Sequence, residues 1–182
     1  PPDRLCKRGA SVRIAIFTNT YWPTVNGVAI SIANLRRGLR ALGHEPYVFA
    51  PAPAGHDISR DDPDVIRYPA VPAPVQADYH LAVPYSGAVS RTLRDIQFDL
   101  VHTHHPMWVG SWAQWYARWN RLPLVTTIHT QYEIYSKLIP LPGALIEAYL
   151  RAQVSSYCNK CHLVTTPARS ARERLLAIGV TT

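Results

Sequence analysis

Cysteine is scarce. Only Cys6, Cys158 and Cys161 occur in 182 residues, an odd and sparse set that cannot build a disulfide framework and suits a reducing cytoplasm. Long apolar runs are missing too: Pro, Arg or His interrupts each within about ten residues, against the roughly 20 that a membrane-crossing helix needs. The opening PPDRLCKRGAS has basic residues but no apolar core of a leader, so none is expected, and residues 1–11 read as an extension ahead of a folded unit over 12–182. GxGxxG, GK[ST] after a glycine loop and GxSxG are all absent, which removes a dinucleotide fingerprint, a P-loop and a hydrolase nucleophile elbow.

What is present is an apolar, basic chain of one-domain size. Hydrophobic residues make up 47% and charged residues 17%, a globular composition, with a formal charge of +7. Acids gather in Asp57–Asp64 (DISRDDPD), so a basic face is expected elsewhere, on helix surfaces carrying Arg36, Arg37, Arg40, Arg91 and Arg94. Such a face would attract an anionic membrane surface by about 1 kcal/mol per close cation, although exposed arginines are as often merely solvated. Nucleic acid has no motif behind it beyond charge.

Hydrophobic periodicity alternates between strand and helix. VRIAIF (12–17) has the apolar character of a strand buried on both faces. From Gly27 the spacing Val28, Ile32, Leu35, Leu39, Leu42 marks a helix stopped at Gly43. EPYVFA (45–50) and a short DVIRYP follow, then Pro-rich irregular chain to about residue 84 and a helix over 86–96. Strands over 99–103, 123–128 and 162–166 alternate with helices over 107–120, 141–157 and 168–178. The pattern predicts a doubly wound, Rossmann-like α/β fold with a mainly parallel sheet and helices on both faces.

In such a sheet ligands collect beyond the carboxyl ends of the strands. Three segments fall there: Thr18–Gly27, His102–Pro106 and His129–Tyr135. Asn26-Gly27 directly before a helix either cradles an anion on the open amides of Gly27 and Val28 or is an ordinary capped turn. In DLVHTHHP, strand alternation puts His102 and His104 on one face and Thr103 and His105 on the other, too few converging ligands for zinc. His129 closes LVTTIH and is either a proton-transfer or hydroxyl-positioning imidazole or a structural one. Cys158-x-x-Cys161 follows a helix instead of starting one, which favours packing over redox chemistry. Trp108, Trp112, Trp115, Tyr116 and Trp119 recur at helical spacing, as a core or membrane-interface face would.

RIAIFTNTYWPTVNGVAISIANLRRGLRALGHEPYVFAP, then DLVHTHHP, VTTIHTQYEIY and CNKCHLVTTPARSARERLLAIGV, resemble in order and spacing the N-terminal half of retaining, GT-B glycosyltransferases of family 4. The resemblance is nearest to the subgroup that glycosylates diacylglycerol-type lipids. It implies an N-terminal acceptor-binding domain whose donor-binding C-terminal partner is absent from this sequence, leaving the chain inactive by itself. It implies hexose transfer from a nucleotide sugar to a lipid or glycan acceptor, with no metal and no other cofactor, at the inner face of a membrane. It assigns donor-phosphate binding to Asn26, Gly27 and Val28, catalysis to His129, and the acceptor side to Tyr21, His104, Tyr132 and Tyr135. His105, Ile128 and Ala168 depart from the family pattern. The competing expectations are a stand-alone glycan- or protein-binding module and a histidine-based metal enzyme.

Overall fold

The computed structural model describes residues 10–52, 55–73, 76–83, 86–129 and 143–182. In chain order the elements are β1 (Arg13–Phe17), α1 (Gly27–Ala41), β2 (Glu45–Pro51), β3 (Val65–Tyr68), β4 (Ala70–Ala73), β5 (Gln76–Ala82), α2 (Gly87–Asp95), β6 (Leu100–Thr103), α3 (Val109–Trp119), β7 (Leu124–Thr127), α4 (Gly143–Cys158), β8 (Leu163–Thr165) and α5 (Arg169–Ala177). Six strands form one sheet in the order β3-β2-β1-β6-β7-β8, every neighbouring pair parallel. The strand order reverses direction between β1 and β6, which is where a doubly wound sheet opens its ligand crevice.

Strand alternation divides the core. Ile14 and Ile16 of β1, with Val48 and Ala50 of β2, face α1 and meet Ile32, Val28, Leu35 and Leu39. Ala15, Phe17 and Phe49 face the other way, into a cluster shared with Val89 of α2, Ala113 and Ala117 of α3 and Val154 of α4. Phe17 stacks on Phe49 at 4.6 Å between centroids. Both sheet faces are covered, which is why β1 reads as an unbroken apolar run. α1 begins where the Asn26 side chain accepts from the Ala29 amide, and its last turn closes into Gly43 at φ 82°.

Two expectations are corrected. The Pro-rich stretch before residue 84 contains the antiparallel pair β4–β5, with a register shift at Pro72/Ala73; a two-stranded ribbon tolerates proline because its outer edge needs no donor. The basic face loses Arg36 and Arg40, which form ion pairs with Asp62 and Asp64. Arg67, with a side chain 2% exposed, pairs with Asp61, which also meets His56. The acidic segment is therefore largely neutralised by cations it touches. Among the described residues no helix is long and apolar enough to cross a membrane.

Candidate functional site

The β1–α1 loop is a fixed structure. Thr18 donates its amide to the Phe49 carbonyl, and its hydroxyl bonds to the Thr20 carbonyl at 2.8 Å. The Asn26 amide donates to Thr20 Oγ1 at 2.8 Å while its oxygen accepts from Ala29, so both ends of the cap are used. Tyr68 donates its hydroxyl to the Thr18 carbonyl. Arg67 donates to the carbonyls of Trp22 and Pro51 and spans toward the Tyr21 ring, 5.9 Å from its centroid. At the end of the loop, a Cβ on Gly27 would meet nothing within 4 Å, and the first turn of α1 carries no acid. The amides of Gly27 and Val28 find no acceptor among the described residues. Open amides and an acid-free first turn are the features that favour an anion at a helix start.

Beside it stand the histidines. His102 and His104 stack at 4.6 Å, and His104 stacks on His129 at 5.1 Å. His104 Nδ1 and His129 Nε2 are 2.9 Å apart, one donating to the other. His102 Nε2 meets Thr127 Oγ1 at 2.7 Å, and Thr127 meets Thr165 at 2.7 Å. His105, on the opposite side, accepts the Asn19 amide at Nδ1, so its neutral ring carries the proton on Nε2. Burial holds all of these rings neutral: His102 is lowered to about 4, His105 to about 3, and His104 and His129 are lowered in the same direction, with neighbouring histidines adding for the first three.

One atom in this column is unsatisfied: His104 Nε2 is buried without a hydrogen-bond partner among the described residues. A buried N–H without an acceptor is rarer than an under-used acceptor. The favoured arrangement is therefore His104 Nδ1–H donating to His129 Nε2. His129 then carries its own proton on Nδ1, as a neutral donor.

Below the column, Thr103 bonds to Thr126 at 3.0 Å and to the Tyr157 hydroxyl at 2.6 Å. Burial raises the Tyr157 phenol far above its ordinary value, so it stays a neutral hydroxyl. α3 is pressed onto this floor: a Cβ on Gly110 would lie 1.8 Å from the His105 carbonyl oxygen and 3.2 Å from the Tyr157 hydroxyl. Trp108, at φ 57°, makes the turn that brings the helix down, a backbone cost of order 1–3 kcal/mol.

The structure thus brings Asn26, Gly27, Val28, His104 and His129 to one end of the sheet, on the loops after β1, β6 and β7. Tyr132 and Tyr135 lie outside the described residues. Tyr21 is 5% exposed, lies in the α1-side core, and its hydroxyl faces Arg36 at 3.5 Å. His104 is 1% exposed and its ring bonds to that of His129. Stacked rings do not aim their nitrogens at a common centre, and no group of three or more metal-ligating side chains able to hold an ion occurs among the described residues. Cys158 and Cys161 are buried free thiols, each pushed up to about 12 by burial. Sequence reasoning missed Gly110 and Tyr157; the only signal for the first was a small residue one turn past the histidines, and the second had none.

The chain belongs to glycosyltransferase family 4, whose profile matches residues 25–182. It is similar to the alpha-monoglucosyldiacylglycerol synthase of Acholeplasma laidlawii, 32% identical over 174 residues that cover 92% of this chain and 43% of the relative. The enzyme of the same name from Streptococcus pneumoniae is 30% identical over 165 residues, covering 90% and 37%. A GDP-mannose-dependent alpha-mannosyltransferase of Corynebacterium glutamicum is 27% identical over 178 residues, covering 93% and 41%. The chain spans about two fifths of the length of these curated relatives.

Proposed function

We propose that this chain is the N-terminal, acceptor-binding half of a GT-B hexosyltransferase that moves a sugar from a nucleotide sugar to a diacylglycerol-type lipid with retention of configuration. The observation that supports the reading is the placement, at the same carboxyl end of a family 4 sheet, of the start of α1 at Asn26–Val28 after β1 and the neutral imidazole of His129 after β7. The leaving diphosphate gains from the amides of Gly27 and Val28 as its charge develops. His129, with Nδ1–H as its remaining polar group, donates a hydrogen bond to a hydroxyl of the transferred sugar. His104 positions it. Transfer then rests on orientation and anion stabilisation, with no metal supplied by this chain. The names of the two relatives above 30% or at 30% identity support a lipid acceptor, and the exposed Arg37 and Arg91 support contact with an anionic bilayer at its inner face.

The test uses the complete protein with UDP- and GDP-hexoses and diacylglycerol in mixed micelles. Lipid-linked hexose is expected, and His129→Ala should lower kcat by about 100-fold with a smaller change in donor KM. Product on no lipid acceptor, or an unchanged kcat in the variant, overturns the corresponding part of the reading.

A further inference from the structure

A basic groove lies at the end of the sheet opposite the histidines. It has a volume of ≈ 670 Å³, lies at the amino ends of β7 and β8, and is lined by Arg118, Arg121, Lys160, His162, Trp115 and Gln114 among others, with no acid among the described residues that line it. The cations come from the ends of two helices: Arg118 and Arg121 from the last turn of α3 and beyond, Lys160 from just after α4. Arg36, Arg40, Arg67 and Arg151 all have carboxylate partners, whereas Arg118, Arg121 and Lys160 have none among the described residues. Three like charges left facing one concavity repel each other, a cost that an anion between them removes.

Two further details belong to a site more than to a solvated surface. His162 is fixed: its Nδ1 accepts the Leu124 amide at 3.1 Å and its own amide bonds to the Leu124 carbonyl, so the neutral ring holds its proton on Nε2 as a donor. Trp115 and Trp119, for which a core or a membrane-interface face was expected, are 57% and 75% exposed and stack on each other at 5.9 Å. Trp115 lines the groove, giving it an aromatic wall braced from behind by its neighbour.

We infer that this groove is a binding site for a phosphate ester carried on a ring, a sugar phosphate or a nucleotide. The phosphate would sit among Arg118, Arg121, Lys160 and His162 Nε2–H, with the ring against Trp115. The concave shape favours a small molecule over a flat bilayer. The inference stands on this groove alone and is independent of the transferase reading.

The probes are glucose 6-phosphate and AMP, titrated at low salt into the chain and followed by calorimetry and by backbone amide NMR shifts. Saturable binding is expected, with shifts centred on residues 118–124 and 160–163. The triple variant Arg118→Gln/Arg121→Gln/Lys160→Gln should bind about tenfold more weakly or worse, since a single charge-assisted hydrogen bond is worth that much. Its thermal melt, compared with that of the parent, establishes that it is folded. No binding, undiminished binding by the folded triple variant, or shifts centred on Gly27–Ala29 overturns the inference. So does a groove-dependent sedimentation with phosphatidylglycerol vesicles in the absence of binding to either soluble ester, which would make it a lipid-headgroup surface.

Discussion

Replacing Gly110 with alanine is the sharpest stability test of this architecture. The added Cβ would start 1.8 Å from the His105 carbonyl oxygen, 2.9 Å from its carbon and 3.2 Å from the Tyr157 hydroxyl. The obstacle at 1.8 Å is backbone at the end of β6, so it cannot swing aside. α3 must withdraw by roughly 1–1.5 Å to restore ordinary contact. That loosens Val109, Ala113 and Ala117 from the core, for which overpacking costs of about 1–3 kcal/mol are usual. It also strains the bond between Tyr157 and Thr103, and a buried hydroxyl left unpaired adds about 1–3 kcal/mol. The sum, about 2–6 kcal/mol, is a large part of the 5–15 kcal/mol by which domains are stable. Urea denaturation followed by tryptophan fluorescence measures it. Two other glycines calibrate the result. Gly38 lies in α1 with nothing within 4 Å of its would-be Cβ, so Gly38→Ala should stabilise by about 0.5–1 kcal/mol. Gly27→Ala, equally unobstructed, should leave stability nearly unchanged while impeding the approach of a diphosphate. A Gly110→Ala loss below about 1 kcal/mol would refute the claim that α3 is seated on the His105 carbonyl.

Further outcomes concern protons, thiols and a cap. Unfolded histidines take up protons near 6.5, whereas folded His102 and His105 do so only at about 4 and about 3. The unfolded chain therefore binds more protons below pH 6.5, so the urea midpoint should be flat above neutrality and fall as acid is added; a midpoint constant down to about pH 4.5 contradicts burial of these rings. Nitrogen-15 shifts of the His129 ring should report the proton on Nδ1 in the parent. His104→Asn, which can offer an amide near the former Nδ1, should retain that tautomer and His104→Phe should lose it. Insensitivity to the phenylalanine removes His104 from its positioning role. A thiol reagent at about pH 8 should leave Cys158 and Cys161 unmodified until denaturant is added; rapid native labelling of both would deny their burial. Ala168 caps α5 without a side-chain bond, so Ala168→Ser should raise stability by about 0.5–2 kcal/mol, and no gain means that the helix end is already satisfied.

The elements that could be read in advance are those whose burial repeats along the chain. The spacing from Val28 to Leu42 locates α1 because one stripe faces the core, and VRIAIF locates β1 because both its faces do. β4 and β5 escaped because a ribbon with prolines carries no such stripe. The capped start of α1 was legible, since Asn-Gly before a helix has a direct backbone meaning. The histidines were legible as a group and by strand face. Their partners were not: the bond between His104 and His129 joins the ends of two strands, and the burial of Tyr21 depends on Arg36 and Arg67 from elsewhere in the chain. Helical spacing groups the tryptophans of α3 by face but does not say whether anything covers that face, and Trp115 and Trp119 are exposed.

The strand order also bears on how the chain folds. β1 pairs with β2, a near neighbour, but its other edge is completed only by β6, with Ile14 opposite Leu100, 86 residues further along the chain. Until residues 100–103 arrive, one edge of the most buried strand stands open, and closing so long a loop must precede the contacts that reward it. Folding should be slow for a domain of this size, with its hazard concentrated in that waiting edge, where an incomplete chain can pair with another copy instead of with its own β6.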